Sequence, residues 1–406
     1  MQRLGYSVGE PDHQRRCGRA AVAEPFNCSP CEPSESFLLT AIAIFRKRLL
    51  SYSETFIADQ GRFLPSYRPL FCGYHRDSSG LQLLDGCNRI LLDDYSSAST
   101  LSKLMLRYGL GGGKRWLAAI ARENPALIHA HFFNDGIDAV RIARRLAIPA
   151  VTTVHGHDIT KHENARSGSS HNRHFFAQID RVIAVSDFIA EQALAKGCPA
   201  NKLVQHYIGI DLEKFNQPKL ESEQPSLLFV GRLVEKKGCT YLLQAMAQLK
   251  QRFPELQLTI IGSGDLETEL RREAAKWKLN VVFAGTASAT EIREQLARSW
   301  LFVAPSVTAH DGDAEGLGMV FLEAQALQTP VVSFRSGGLV EAVEEGVTAL
   351  LSEEKDVAGL AENIATLLEK SSLRQQMGRA GRERVEQHFD LRKQCAKLES
   401  IYATLS

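Results

Sequence analysis

The chain has 406 residues, of which 44% are hydrophobic and 23% are charged, and its formal net charge is +1. A chain of this length is too long to fold around one ordinary hydrophobic core, so two domains are expected. A net charge this close to zero argues against a dedicated nucleic-acid-binding protein, which would carry a basic excess. Residues 1–215 carry a net charge of +5 and the remainder −4, which suits an anionic membrane surface or a phosphate-bearing partner, or is ordinary scatter of surface charge.

The distribution of cysteines and of apolar residues indicates the cellular compartment in which we expect the protein. Eight cysteines are scattered along the chain, a pattern typical of a reducing compartment. Cys28 and Cys31 form the one close pair, and no second Cys/His pair follows at zinc spacing, so the sequence predicts no metal site there. No apolar run approaches the ~18 residues of a membrane helix. We therefore expect a cytoplasmic protein, at most peripheral to the inner face of the cytoplasmic membrane.

The first half of the chain shows strand-like runs separated by helical spacing. Residues 1–36 lack any periodicity, which predicts a poorly ordered extension. Gly136–Leu146 and Ser186–Lys196 have the apolar spacing of amphipathic helices. The predicted strands are Phe37–Phe45, Leu127–His131, Ala150–His155, Val182–Val185 and Val204–Ile210.

The second half repeats this alternation more regularly. Thr240–Phe253 and Leu266–Lys278 are predicted helices between strands. Continuous rather than alternating hydrophobicity is typical of parallel strands covered on both faces, so both halves predict doubly wound α/β layers. The predicted strands are Leu227–Val230, Leu258–Ile261, Val281–Ala284, Leu301–Ala304, Val331–Phe334 and Ala349–Leu351.

Two such series predict two Rossmann-like domains, residues 37–217 and 218–382, which face a central cleft. The polar segment Asn216–Ser226 is the predicted linker. Residues 383–406 are predicted to form one or two amphipathic helices. Ligands of open α/β sheets bind beyond the carboxyl ends of the strands, so the cleft is the expected site.

The segment Asp311–Ala324 follows the predicted strand Leu301–Ala304 and carries two glycines before a helical stretch. Free amides at a helix N-terminus can bind a phosphate. Glu323 lies about a turn into this helix, where its carboxylate could accept two hydrogen bonds from ribose hydroxyls, and Glu315 lies in the loop before it. A surface loop with an acid-capped helix remains an open alternative.

The segment Val230–Gly238 carries two cations, Arg232 and Lys237, in a loop between a buried strand and a helix. Two cations over a diphosphate would neutralise the charge that grows on a leaving group as its bond breaks. A solvated basic loop is the alternative.

Together these segments resemble the retaining family-4 glycosyltransferases of the GT-B fold, in the exopolysaccharide/colanic-acid branch. Glu315 and Glu323 match a glutamate, seven residues and a second glutamate, and Gly231-Arg232 with Lys237-Gly238 match G-R-x(4)-K-G. The resemblance covers the chain from about residue 38 to the end. It implies transfer of a hexose from a nucleotide-diphosphate sugar to a saccharide or lipid-linked saccharide, with retention of configuration and without a metal ion or cofactor.

The resemblance also assigns roles to individual residues. Arg232 and Lys237 would hold the diphosphate, Glu323 the ribose, and Gly262 with Gly264 would allow close approach of the nucleotide. The implied catalytic residues are His155, Glu315, Arg232 and Lys237. The implied donor-binding residues are Arg232, Lys237, Gly262, Gly264, Glu315, Gly316, Leu317, Gly318, Met319 and Glu323.

The first domain would supply the remaining contacts. In His155-Gly156-His157-Asp158, which follows the family pattern, His155 is preferred over His157 as the residue that contacts the transferred sugar. Asp158 would fix the histidine or cap the next helix. Ser53–Ile57 resembles an element of exopolysaccharide-type members. The acceptor-side residues implied are Glu54, Asn134 and Asp158.

Several alternatives stay open at this point. Asp311-Gly312-Asp313 has the D-x-D shape with which other glycosyltransferases hold a metal, but it precedes the glutamate motif and is interpreted as a loop. Gly262-x-Gly264 resembles the start of a dinucleotide fingerprint, but Glu267 stands where its third glycine belongs, which argues against a dehydrogenase. The same fold would also suit a nucleotide-sugar epimerase or a non-catalytic sensor of sugar nucleotides, whereas a phosphorylase would need a pyridoxal-phosphate lysine and a longer chain.

Overall fold

A computed structural model describes residues 39–96, 103, 113–161 and 170–405 of the chain. The predicted extension over residues 1–36, with Cys28 and Cys31, lies outside these ranges. The described residues form two parallel β-sheets, one in each half of the chain. Because every pairing within them is parallel, the connections cross over through helices, as the sequence predicts.

The first sheet has seven strands in the order β3-β2-β1-β4-β5-β6-β7. The sequence missed β2 and β3, because Pro69 and Gly73 interrupt the hydrophobic run of β2 and because β3 is a short edge strand with an exposed start. A side chain at Gly73 would place its Cβ 2.3 Å from the carbonyl oxygen of Arg46, so glycine allows close strand pairing there. The strands are β1 Thr40–Leu49, β2 Tyr67–Arg76, β3 Asn88–Leu91, β4 Pro125–His131, β5 Ala150–Val154, β6 Arg181–Ala184 and β7 Leu203–Gln205.

The second sheet has six strands in the order β10-β9-β8-β11-β12-β13. Each of the six predicted runs coincides with one of these strands to within a residue at either end. The strands are β8 Ser226–Val230, β9 Gln257–Ile261, β10 Val281–Gly285, β11 Leu301–Val303, β12 Val331–Phe334 and β13 Ala349–Ser352. The predicted linker falls between β7 and β8.

Helices cover both sheets, and several begin at a side-chain cap. Ser186 accepts a hydrogen bond from the amide of Ile189, and Ser288 forms a reciprocal capping box with Glu291. The helices are α1 Thr55–Arg62, α2 Lys114–Arg122, α3 Phe133–Leu146, α4 His157–Thr160, α5 Ser170–Gln178, α6 Asp187–Ala195, α7 Cys239–Leu249, α8 Glu267–Lys276, α9 Ala289–Arg298, α10 Met319–Ala326, α11 Leu339–Ala342, α12 Val357–Glu369, α13 Ser371–His388 and α14 Leu391–Ala403. Within the described ranges, none of these helices is long and apolar enough to cross a membrane.

The last helix returns to the first sheet. Leu391, Cys395 and Leu398 of α14 are buried in the same hydrophobic cluster as residues of β1. Tyr402 donates or accepts a hydrogen bond at His129 of β4, with 2.6 Å between Oη and Nδ1. The last helix therefore packs on the first half of the chain. Residues that follow strands of both sheets line the same cavities.

Candidate active site

The larger cavity, about 690 Å³, is lined by residues of both halves of the chain. The loop before α1 and the start of that helix form one wall, and the segment after β7 adds to it. The loop after β8 and the start of α10 form the opposite wall. The lining residues from that wall that bear on function are Arg232, Lys236, Lys237, Glu315, Met319 and Glu323.

A smaller cavity of about 160 Å³ adjoins it and shares Lys236, Glu315 and Met319 with the first. His155 and His157, at the end of β5, line its other side. The whole stretch from Glu315 to Met319 borders this smaller cavity. The predicted histidine element and the predicted glutamate motif thus lie across one small space from each other.

Lys237 and Glu315 form an ion pair, with 2.6 Å between Nζ and Oε2. Both side chains are about nine-tenths buried. Burial alone raises the pKa of Glu315, but the charges of Lys237, Lys236 and Arg232 outweigh it and lower the pKa to about 2. Glu315 is therefore ionised, and the surrounding charge is positive.

Arg232 is exposed at the cavity wall, and in the part of the chain that the structure describes its guanidinium has no hydrogen bond or ion pair. Gly238 ends the loop with φ +65°, and a Cβ there would lie 1.8 Å from the carbonyl oxygen of Pro305. Only glycine allows that contact, which fixes the loop against the end of β11. A free guanidinium and a paired ammonium thus stand on a well-anchored loop.

The start of α10 supplies main-chain donors. The first N–H groups of a helix have no carbonyl partner within it, and they carry the positive end of the helix dipole. Gly318, with φ +81°, precedes the helix. Gly316 touches the other half directly, because a Cβ there would lie 1.6 Å from the carbonyl oxygen of His155. The loop can reach the histidine element only because this residue is glycine.

Glu323 lines the larger cavity one turn into α10. Burial raises the pKa of this carboxyl to about 7, and the positive charge of Arg293 opposes the rise. Glu315 and Glu323 therefore differ in protonation state. Neighbouring cations keep Glu315 ionised, whereas Glu323 is close to half protonated near neutral pH.

Gly262 and Gly264, predicted to approach the nucleotide, lie against the backbone of a neighbouring loop. A Cβ at Gly262 would lie 1.9 Å from the carbonyl oxygen of Gly231, and one at Gly264 would meet the backbone of Leu233 at 2.5 Å. Neither glycine lines the two cavities described above. Their small size lets the loop after β9 pack on the loop that carries Arg232, so nucleotide contact at these two positions stays a prediction.

His155 is held in the smaller cavity by its neighbours. Its Nε2 lies 3.1 Å from Nδ1 of His131, and the rings of Phe56 and Phe132 flank it at 5.1 and 4.6 Å. Burial and the charge of Arg46 lower the pKa of His155 well below its usual 6.5. The ring is therefore neutral at physiological pH.

The three predicted acceptor-side residues line neither cavity. The carboxylate of Glu54 binds the guanidinium of Arg46 and the amide of Ser51. Asn134 is exposed, and its carbonyl oxygen accepts from Lys47. Their contact with an acceptor stays a prediction, whereas the contacts observed hold the local backbone in place.

Asp158, the third of these residues, is buried and serves the backbone. Its carboxylate accepts hydrogen bonds from the amides of His155, Gly156 and Phe133. It therefore fixes the loop that carries the histidine, which is the role that the sequence suggested beside acceptor binding.

The two aspartates of the D-x-D-like segment are each paired with a lysine. Asp311 pairs with Lys161 at 2.8 Å, and Asp313 pairs with Lys236 at 2.9 Å. Among the residues that the structure describes, no group of three or more His, Cys, Asp and Glu side chains is arranged to hold a metal ion. Lys236 itself was not predicted, because only its burial distinguishes it from a solvated lysine beside Lys237.

Two protein-family models match the chain. Residues 84–214 match the family model for Glycosyltransferase Family 4, and residues 211–384 match that for Glycosyl transferases group 1. The amylovoran biosynthesis glycosyltransferase AmsK of Erwinia amylovora is 32% identical over 313 residues, which cover 74% of this chain and 77% of that protein. The putative colanic acid biosynthesis glycosyltransferase WcaL of Escherichia coli is 30% identical over the same shares of the two chains.

Solved structures share the fold. The Anabaena protein Alr3699/HepE, in complex with UDP and glucose, superposes with a TM-score of 0.71 over 90% of this chain and all of that one, at 19% identity. A glycosyltransferase from Rickettsia africae superposes with a TM-score of 0.73 over 90% of this chain and 98% of that one, at 18% identity. With relatives such as AmsK and WcaL and a GT-B arrangement of two parallel-sheet lobes, the chain belongs to glycosyltransferase family 4, in the branch of the exopolysaccharide and colanic-acid enzymes.

Proposed function

We propose that this glycosyltransferase moves a hexosyl group from a nucleoside-diphosphate sugar to a saccharide or lipid-linked saccharide, with retention of configuration and without a metal ion. The observation that carries the proposal is the convergence of Lys237, Arg232 and the start of α10 beside Glu315 at one cavity. Fixed positive groups in a partly buried site are what a departing diphosphate needs, because they stabilise charge as it develops.

The proposed step is a displacement at the anomeric carbon. The bond from that carbon to the diphosphate oxygen breaks, and its electron pair stays with the diphosphate, next to Lys237 and Arg232. The acceptor hydroxyl attacks from the same face and passes its proton to the departing phosphate oxygen. Retention is proposed because the chain resembles the retaining glycosyltransferases of family 4. HepE, a solved protein of the same fold in complex with UDP and glucose, supports a nucleotide-sugar donor.

The pairing of the acidic loop supports metal independence. A divalent cation would need free carboxylates, whereas Asp311 and Asp313 are each bound to a lysine. Lys237, Lys236 and Arg232 already supply positive charge beside Glu315. We expect dialysis against a chelator to leave transferase turnover unchanged, and loss of turnover that Mg²⁺ or Mn²⁺ restores would refute this part of the proposal.

The test starts from donor identification. Sugars linked to UDP, GDP and ADP are screened for thermal stabilisation, because a bound donor raises apparent stability by mass action. Proton NMR of the product formed with the selected donor then reports its anomeric configuration. The proposal expects the configuration of the donor, and an inverted product would refute retention.

Two controls separate transfer from other uses of the fold. Incubation with donor alone should give at most slow hydrolysis, whereas an epimerised donor would favour a nucleotide-sugar epimerase. Glu315→Ala should remove most turnover while the protein stays folded. Near-normal turnover in that variant would refute the assigned site.

A further inference from the structure

A row of three histidines runs from the core of the first lobe to the smaller cavity. His129 and His131 lie two residues apart on β4, so their side chains share one face of the sheet. The register places His131 beside Thr153 of β5, two residues before His155 at the end of that strand. Chain topology therefore brings the three imidazoles together, although His155 lies 24 positions after His131 in sequence.

Each ring in the row contacts the next. The rings of His129 and His131 are nearly parallel, with centroids 4.6 Å apart, and those of His131 and His155 are nearly parallel at 5.3 Å. His129 is anchored by both nitrogens, with Nδ1 at 2.6 Å from Oη of Tyr402 and Nε2 at 2.7 Å from Oγ1 of Thr153. His131 thus rests against a ring that is itself fixed.

The contact between His131 and His155 leaves one nitrogen for a ligand. Nδ1 of His131 lies 3.1 Å from Nε2 of His155, so one of these nitrogens carries the shared proton. Nδ1 of His155 has no hydrogen-bond partner among the described residues, and this residue borders the smaller cavity. The rings of Phe56 and Phe132 contact the ring of His155, with centroids 5.1 and 4.6 Å away, and restrict its rotation.

We infer that His131 is a positioning residue for the transfer reaction: it holds Nε2 of His155, so that only Nδ1 meets the transferred sugar. The inference rests on the proposed function, in which His155 contacts that sugar. His131 selects the tautomer and the ring plane of His155, as the partner of one imidazole nitrogen generally fixes the state of the other. It is buried itself, at 1% exposure, and lines neither cavity.

Two variants of His131 separate positioning from packing. His131→Leu fills the space without a polar atom, whereas His131→Asn keeps an amide group near the place of Nδ1 that can donate or accept. His206→Leu is the matched control, because His206 is another buried histidine with a hydrogen bond, from Nε2 to the carbonyl oxygen of Gln394. Circular dichroism checks that each variant is folded.

Long-range ¹H–¹⁵N NMR of protein labelled at histidine reports the tautomer of His155, and its signals are assigned by their loss in His155→Ala. A single tautomer is expected in the wild type, in His131→Asn and in His206→Leu, and a mixture in His131→Leu. Unchanged tautomer populations in a folded His131→Leu variant would overturn the inference.

Turnover gives the functional readout. Misplacement of a reacting group by about 1 Å costs on the order of 100-fold in rate. His131→Leu is therefore expected to lower kcat by about 10- to 100-fold with little change in donor KM, and His131→Asn to restore most of it. Wild-type kcat in His131→Leu, with His155→Ala inactive, would overturn positioning. Wild-type kcat in His155→Ala would instead overturn the proposed sugar contact, whatever the tautomer does.

Discussion

Replacing Glu323 by glutamine should stabilise the protein, and more so as the pH rises. Burial raises the pKa of Glu323 from 4.5 to about 7 in the folded state. Between these values the folded chain keeps a proton that the unfolded chain has lost, so stability falls as the pH rises. A shift of this size corresponds to about 3 kcal/mol once the pH exceeds the folded pKa.

The glutamine variant removes this penalty without removing the shape of the side chain. Urea unfolding of both proteins should give a gap in the free energy of unfolding of about 1 kcal/mol near pH 5, rising to about 3 kcal/mol near pH 8, with the variant the more stable. Taking the difference between the two proteins cancels the titration of all other groups. Glu294→Gln, at an exposed position of α9, controls for exchange of a carboxylate for an amide.

Nucleotide binding tests the other half of the reasoning. If the carboxylate accepts ribose hydroxyls, the ionised form binds better, so wild-type affinity for a nucleoside diphosphate should rise with pH through about 7 and the variant should lose this rise. A stability gap that is constant with pH, or that widens toward acid, would refute the account of Glu323.

Three further substitutions address the cleft. Lys237→Ala should lower kcat by about 100- to 1,000-fold, the usual cost of one preorganised charge-stabilising group, while Lys276→Ala, on the exposed face of α8, should leave it unchanged; steady-state donor turnover measures both. Gly316→Ala should abolish turnover, because its Cβ would collide with the carbonyl oxygen of His155, and a wild-type rate would contradict the lobe contact. Glu341 accepts hydrogen bonds from the amides that begin α6 and from the hydroxyl of Tyr207. Glu341→Ala should therefore lower the free energy of unfolding by about 1–3 kcal/mol and enlarge the radius of gyration in solution scattering. An unchanged radius would count against an inter-lobe role for Glu341.

Sequence patterns predicted the second sheet more completely than the first. Each strand of the second sheet is a short, continuous apolar run bounded by Gly, Pro or Ser, which is how a fully covered parallel strand is recognised. In the first sheet, β2 carries Pro69 and Gly73 within its run, so periodicity alone could not identify it. Local pattern therefore predicted the class of fold but not every strand.

Motif spacing predicted which residues of the candidate site lie near each other, but it did not predict which of them are buried. The pairing of Lys237 with Glu315 agrees with the motif that placed both at one cleft. Burial of Lys236 and its pairing with Asp313 depend on how two loops pack, which no local pattern reveals. The contact of His131 with His155 depends on strand register, which sequence spacing does not give.

In the proposed reaction, side-chain cations and main-chain amides receive the departing diphosphate between the lobes. A crystal structure of the protein with the nucleoside diphosphate of its preferred donor tests it most directly. We expect diphosphate oxygens within about 2.7–3.1 Å of the nitrogens of Lys237, Arg232 and the amides that begin α10. A diphosphate bound elsewhere, with Lys237 still paired only to Glu315, would contradict it.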